Sequence, residues 1–264
     1  MLMEVKNNVR VSLLSIKYNI MREMVNTVSF ILKVFMMMLN NSTFIIQWLV
    51  LFSLKDNFGG FVFKDVMLLW GISAASFGMS HLFFGGIGLL PSYIEEGKLD
   101  AYLVQPKSVL LMTSTSASEI SALGDLLYGI IVALIFWHRP LDIVLFIFFT
   151  ILSCIIYTAF RIILSSITFW FLRAGDAAES IRSIYINFSL YPQNIFSRAI
   201  KFIMFTIIPA GISIYLPVKT IINFDTKNTL IVIFFTIFIV ITSVFIFNKG
   251  IKKYESANLM SARV

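Results

Sequence analysis

Four charged residues lie within long apolar stretches of the sequence and are the first candidates for chemistry: Asp125, Arg161, Glu179 and Arg182. A charge in an apolar environment is costly, so such residues are functional candidates by default. Glu179 and Arg182 are three residues apart, a spacing at which helical side chains can pair, and mutual pairing is the simpler interpretation. His81 could carry a proton, although a histidine that is satisfied by helix packing is the commoner case.

The sequence does not contain a recognisable catalytic constellation. An enzyme within a membrane would need clustered histidines, paired carboxylates or an activated serine. The chain has two histidines, His81 and His138, which are predicted to lie at different depths. The single cysteine, Cys154, lies in an apolar run, so a disulfide framework is excluded and a small buried apolar residue is expected. We therefore expect no catalytic site, no metal and no bound cofactor.

Composition identifies the class of protein that must position these residues. Of 264 residues, 58% are hydrophobic, 27 are Phe and 13% are charged, whereas a soluble domain is about 45–50% apolar and about 25% charged. The net charge of +7 could suggest a nucleic-acid partner. The basic residues flank apolar segments instead of forming a basic and aromatic surface, so membrane topology explains them better and no nucleic acid is expected.

The apolar stretches predict an all-α, polytopic membrane protein that forms one domain over residues 1–264. Residues 1–28 combine helical apolar spacing with basic residues, which is typical of an amphipathic helix at the membrane interface, and their charges argue against a cleavable signal. Helices cross a bilayer in about 20 residues. Six spans are predicted, at residues 29–54, 65–90, 120–137, 141–172, 175–190 and 230–247. Basic residues near both ends of the chain predict cytoplasmic termini.

Two further patterns concern packing. Small residues recur on the second and third predicted spans, where they would let another helix approach closely, either within the chain or in a second chain; they are Gly71, Ala74, Ala75, Gly78, Ala122, Gly129 and Ala133. Pro192, Pro209 and Pro217 divide residues 191–224 into pieces that are too short to cross a membrane. These pieces predict a re-entrant pair of helices between the fifth and sixth spans.

Two stretches carry a resemblance to a known family. The first is Ile-Glu-Glu-Gly-Lys-Leu-Asp-Ala-Tyr-Leu-Val-Gln-Pro at residues 94–106, and the second combines Tyr-Pro-Gln-Asn-Ile-Phe at 191–196 with Ile-Pro-Ala at 208–210 and Tyr-Leu-Pro at 215–217. They resemble permeases of type-two ATP-binding-cassette (ABC) exporters, in a bacterial six-span subfamily. The acidic pair at Glu95 and Glu96 departs from that pattern, which often has a basic residue there.

The resemblance implies partners and site residues. ATP and Mg would bind to a dimer of separate ABC ATPase subunits, because the chain has no Gly-Lys-Ser or Gly-Lys-Thr phosphate loop. A second permease, identical or related, would complete the pathway in the bacterial cell membrane. Residues 91–119 would form a cytoplasmic coupling loop that docks on the ATPase through Glu95, Glu96, Leu99, Asp100, Tyr102 and Leu103; without the resemblance, a solvated loop is the simpler interpretation. The extracellular re-entrant hairpin would include Tyr191, Pro192, Pro209 and Pro217.

The sequence says less about the transported cargo than about the family of the transporter. The aromatic content suggests a hydrophobic or amphipathic drug, peptide or lipid, with Phe77, Phe83, Phe84, Phe169 and Trp170 as possible pathway-lining residues. The competing interpretation of these residues is ordinary lipid contact. A channel or assembly factor without energy coupling is the alternative function, and it would not require an acidic docking segment.

Overall fold

The structure is a computed structural model that describes residues 2–137, 139–171 and 173–255, with side chains from residue 6 onward. Within these ranges the chain forms helices and no strands, which confirms the all-α part of the predicted fold class. Its α-helices are α1 (Leu2–Met24), α2 (Thr27–Leu54), α3 (Phe63–Phe84), α4 (Leu90–Glu95), α5 (Asp100–Leu103), α6 (Val109–Ser114), α7 (Ala122–Phe136), α8 (Pro140–Ser166), α9 (Ala174–Ser189), α10 (Arg198–Thr206), α11 (Leu216–Ile222) and α12 (Thr226–Ile251).

Four helical segments are long and apolar enough to cross a membrane: Thr27–Leu54, Phe63–Glu95, Pro140–Phe169 and Thr226–Ile251. The second consists of α3 continued through a 3₁₀ turn at Gly85–Leu89 into α4. A fifth candidate is the pair formed by α10 and Gly211–Ile222, which is bent by 84°. Helix α7 is apolar but has 15 residues. The protein is therefore a multi-pass membrane protein with four or five segments of full spanning length.

Contacts between segments that are distant in sequence show which helix ends lie together, and they define two ends of the bundle. At one end, the side chains of Ser15 and Asn19 donate to the Thr115 carbonyl, at 2.7 and 3.1 Å. We call this the connection end, since it carries residues 85–119. At the other end, the Asn194 amide donates to the Gly59 carbonyl at 2.6 Å, and the Arg139 guanidinium donates to the Ile221 carbonyl at 3.1 Å. We call this the hairpin end, since it carries residues 190–225.

Helix α3 is the centre of the fold, and its side chains are buried along almost its whole length. Small residues allow α7 to lie directly against it. A Cβ added at Gly129 would lie 2.5 Å from the Gly71 carbonyl oxygen, and one added at Gly78 would lie 2.6 Å from the Ala122 carbonyl oxygen. Close backbone approach of this kind is what small residues permit between membrane helices. The predicted packing role of these residues is confirmed within one chain.

Helices α8 and α12 complete the bundle and meet tightly at the connection end. Phe169, in the 3₁₀ turn after α8, covers Gly250 near the end of α12, where an added Cβ would overlap the phenyl ring. The opposite face of α12 stays exposed, with Phe234, Phe238 and Phe245 each more than half accessible. Apolar side chains in that position are suited to contact with lipid chains.

Candidate functional site

The docking sequence predicted at the connection end folds into short helices. Helix α4 ends at Glu95, Gly97 takes a positive φ of 72°, and the Leu99 amide donates to the Tyr93 carbonyl at 3.0 Å, which turns the chain into α5. Glycine reaches that backbone region at no steric cost. Glu96 forms an ion pair with Lys98, and the resulting hydrogen bond and attraction raise the pKa of Lys98 above its ordinary value.

The structure corrects the expectation that Leu99 contacts a partner. Leu99 has no exposed surface and packs in a buried apolar cluster that also contains Ile87, Leu90, Ile94, Ile162, Phe169 and Phe247. Tyr102 is half-buried beside that cluster and stacks on Tyr93 at 5.6 Å. Burial, followed by its hydrogen bond to Tyr93, raises the pKa of Tyr102. Leu99 thus anchors the segment to the interior of the bundle and is not exposed on the surface of the segment.

The outer surface of the segment is acidic with an apolar tip. Glu95 and Glu96 are exposed, while Leu103 and Val104 present 38% and 83% of their surface. Val104 was not singled out by the sequence analysis. Its exposure could have been predicted, because Leu103 and Val104 directly precede a polar turn. The helical spacing of the segment favoured Leu99 instead. We name the exposed side chains of Glu95, Glu96, Leu103 and Val104 the docking tip.

A cleft of about 590 Å³ opens at the connection end, between α3, α4, α8, α9 and the residues that precede α7. Its lining is unusually rich in charged groups, namely Glu95, Glu119, Arg161, Arg173, Asp176, Glu179 and Arg182, together with His81. No single stretch of sequence contains this set. The cleft therefore arises only from the packing of separate elements.

Arg161 lies at the base of the cleft and is only 3% exposed. Its Nη1 donates to the Ser80 hydroxyl at 3.2 Å, and its guanidinium carbon lies 5.7 Å from the ring centre of Tyr157. Its Nη2 faces Gly88, another lining residue, and lies 3.4 Å from the position that a Cβ would take at that glycine. Within the described residues Arg161 forms no ion pair. No carboxylate of the described residues therefore contacts this buried charge directly, although the Glu119 and Glu179 carboxylates attract it from a greater distance.

The pairing of Glu179 with Arg182 that their spacing predicts is confirmed. Arg182 binds the Glu179 carboxylate through two nitrogens, with Nε at 2.6 Å from one oxygen. Arg182 also approaches the Tyr157 hydroxyl at 3.5 Å, so both arginines surround one buried phenol. Since Glu179 neutralises Arg182, the net positive charge at the base comes from Arg161.

The other polar candidates are held by hydrogen bonds within a helix or between helices. The His81 Nδ1 lies 2.9 Å from the Phe77 carbonyl, one turn earlier in α3, as expected for a packing histidine. Asn41 of α2 donates to the Asp125 carboxylate of α7 at 2.6 Å, inside the bundle. Cys154 is buried, whereas His138 lies outside the described residues. Among the described residues no group of three or more His, Cys, Asp or Glu side chains could hold a metal ion.

The aromatic residues expected to line a pathway do not form one surface. Phe77 and Phe169 are buried in two different apolar clusters, at 7% and 8% exposure, so neither has surface available for cargo. Phe83 and Phe84 are partly buried, beside different clusters. Of the five, Trp170 is the most open, at 42% exposure. In this chain Phe77 and Phe169 thus contribute to interior packing, which apolar content alone does not distinguish from an accessible wall.

The predicted hairpin residues surround a polar seam at the hairpin end. The Tyr215 hydroxyl lies 2.8 Å from the Tyr191 carbonyl, and the Ser213 hydroxyl donates to the Pro209 carbonyl at 2.8 Å. Ser213 belongs to a π-helical turn at Gly211–Tyr215. Pro217 follows in the first turn of α11. Pro192 is buried and directly precedes a 3₁₀ turn at Gln193–Ile195. Ser153 of α8 binds the Ser213 carbonyl, about 13 residues into that helix. Ser213 therefore lies about 20 Å along α8 from the start of that helix, at 1.5 Å per residue.

Comparisons with known proteins give one result. No curated protein and no solved structure matches this chain. A protein family described as ABC-2 family transporter protein matches residues 36–258, which include α3 to α12, the cleft, the docking tip and the hairpin. The match covers most of the sequence and agrees with the family to which the two motif stretches point. The chain therefore belongs to the ABC-2 transporter family, as an ABC-2 type permease.

Proposed function

We propose that this chain is the permease subunit of an ATP-driven exporter in the bacterial cell membrane, and that a dimer of separate ABC ATPase subunits docks on the docking tip. The observation that carries the proposal is the exposed apolar pair Leu103 and Val104 on a short segment that also exposes two carboxylates and is anchored in the bundle through the buried Leu99. An apolar centre surrounded by a polar rim is the usual anatomy of a protein interface. The family membership supports an ATPase as the partner.

The base of the docking tip is suited to transmit movement. The cluster around Leu99 joins the segment to Ile162 of α8 and Phe247 of α12. Beyond α12, Tyr254 lies beside Asp100, and burial followed by that carboxylate raises the pKa of Tyr254 to about 12. Because close-packed interiors transmit displacement, a push on the tip would reach two long helices directly. A solvated loop would lack this connection.

The proposed topology has six crossings, made by α2, α3, α7, α8, α9 and α12, with the connection end in the cytoplasm. Basic residues support this orientation, because Lys249, Lys252 and Lys253 follow or end α12. Helix α1 lies at the same end and carries Arg22 in its last turn, as expected for a helix at a cytoplasmic interface. The bent pair of α10 and α11 would then be a re-entrant hairpin on the outer side.

A second permease, identical or related, would complete the pathway. The family resemblance supports this pairing, and the cleft at the connection end would face the cytoplasm and receive cargo before export. We propose an amphipathic cargo of the drug, peptide or lipid class. The cleft supports the polar part of that description, because charged side chains dominate its lining.

The test is co-purification of the full chain with candidate ATPase subunits, together with assay of ATP hydrolysis. Val104→Asp should weaken ATPase capture by about tenfold or more, since burying an unpaired charge in an interface typically costs more than 1 kcal/mol. Val25→Asp is the matched control, because Val25 is 87% exposed in the link between α1 and α2, against 83% for Val104. Equal capture by both variants and the wild type would refute docking at the tip. If no ATPase associates with the wild-type chain, the uncoupled channel becomes the better hypothesis.

A further inference from the structure

The buried charge of Arg161, which has no direct ion-pair partner among the described residues, needs an explanation beyond packing. A guanidinium has five N–H donors, and the described residues give Arg161 one hydrogen bond to a neutral hydroxyl and one aromatic face. Burying an unpaired charge is so costly that an uncharged side chain of similar volume usually serves structure better. A link between Ser80 of α3 and α8 could be made by a neutral side chain. Within the described residues the charge of Arg161 is thus balanced only by the ring of Tyr157 and, at longer range, by Glu119 and Glu179, and it lacks a direct anionic partner.

The mouth of the same cleft has the opposite charge. Glu95, Glu119 and Asp176 are exposed around it, and among them Glu95 accepts a hydrogen bond from the Arg173 amide at 3.1 Å. Arg173 is the basic residue at this rim. Glu179 does not add to the rim, because its carboxylate is held by Arg182. A simple anion entering the cleft would pass a net negative rim before it reached Arg161.

We propose that the cleft binds a zwitterionic ligand, whose phosphate or carboxylate group contacts Arg161 at the base and whose ammonium group lies among Glu95, Glu119 and Asp176 at the mouth. Arginine donates two parallel hydrogen bonds to such anions, and Nη2 is on the side that faces the lining residue Gly88. A volume of about 590 Å³ accommodates a ligand the size of a phospholipid headgroup. The identification of this ligand as cargo rests on the proposed exporter function, whereas the binding site does not.

The test measures binding by isothermal titration calorimetry to the full chain in maltoside micelles. The probes are lysophosphatidylethanolamine, which is zwitterionic, lysophosphatidylglycerol, which is anionic only, and phosphoethanolamine, which has the same charges without an acyl chain. We expect saturable binding of the first probe with at least about tenfold preference over the second. Binding of phosphoethanolamine at similar affinity would identify a soluble ligand, and its failure to bind would identify a lipid. Preference for the anionic probe would overturn the proposal.

Arg161→Gln keeps a donor for Ser80 and removes the charge. It should weaken binding of the zwitterionic lipid by about tenfold or more, since a hydrogen bond between charged groups contributes more than one between neutral groups. Arg198→Gln makes the same change at an exposed position of the hairpin end and should leave affinity unchanged. The melting temperature separates binding from structure: Arg161→Gln should melt no lower than the wild type. A lower melting temperature with unchanged affinity would show that Arg161 is structural.

A second variant tests the rim without disturbing the buried base. Glu119→Gln combined with Asp176→Asn changes two exposed side chains, so the fold should not be affected. We expect this variant to lose the preference for the zwitterionic over the anionic lipid, and an unchanged preference would overturn the proposal. Arg161→Gln should still capture the ATPase, whereas Val104→Asp should lose the ATPase and still bind the lipid. The two proposals can therefore fail separately.

Discussion

Replacing Gly129 by Val tests whether α3 and α7 are held together by backbone contact. The new Cβ would lie 2.5 Å from the Gly71 carbonyl oxygen and 2.7 Å from the Ala75 amide nitrogen, whereas ordinary contact begins at 3.4 Å. The helices must therefore separate by close to 1 Å, and the two γ-methyl groups add further overlap. Overpacking of this kind costs about 1–3 kcal/mol, and the better helix propensity of Val returns only a few tenths of a kcal/mol.

The assay is thermal unfolding of the purified protein in detergent micelles, followed by tryptophan fluorescence. At about 2–4 °C per kcal/mol for a chain of this size, the melting temperature should fall by about 2–12 °C. Ile130→Val is the control, because Ile130 is the next residue of α7 and is 41% exposed on its other face. The control should change stability by less than about 0.5 kcal/mol. If Gly129→Val melts at the wild-type temperature, close packing of α3 against α7 is refuted.

Two further predictions concern the connection end. Leu99→Ala should lower the free energy of unfolding by about 2–5 kcal/mol, because Leu99 is fully buried. Leu103→Ala should lower it by well under half as much. Equal decreases in melting temperature would contradict the assignment of Leu99 to the interior. The hydrogen bond from Lys33 holds the pKa of Glu23 below its ordinary value of 4.5, so this pair stabilises the fold above pH 4.5 and the contribution disappears as pH falls further. The difference in melting temperature between the wild type and Glu23→Gln should therefore be present at pH 7 and shrink at pH 4, and a difference that grows on acidification would refute this sign.

Local sequence predicted the helices well, because each depends mainly on its own residues. The last span was expected at 230–247 and the helix runs over Thr226–Ile251. Its first turn is polar and extends back to the N-cap Asp225, whose side chain accepts from the Lys227 amide. The first span was expected at 29–54 and the helix runs over Thr27–Leu54. The fourth was expected at 141–172, of which Leu172 lies outside the described residues, and α8 begins at Pro140.

The site was harder to predict, because its features depend on which surfaces meet. The spacing of Leu99 and Tyr102 correctly indicates one apolar face, but nothing local says whether that face meets a partner or the same chain. The buried cluster with Phe247, almost 150 residues later, decides the question. The cleft has the same origin. Arg161 and Glu119 could each be noticed as charged, whereas their convergence at one opening requires the packing of α8 against α3 and α9.

Phe169 and Gly250 place an evolutionary constraint on each other. The phenyl ring of Phe169 occupies the space that any side chain at position 250 would need, and the two residues are separated by about eighty positions in sequence. A family member with a larger residue at position 250 can keep the contact only if position 169 becomes smaller. The two positions should therefore covary across the family, and an alignment in which large residues occur together at both would mean that those chains join α8 to α12 in a different way.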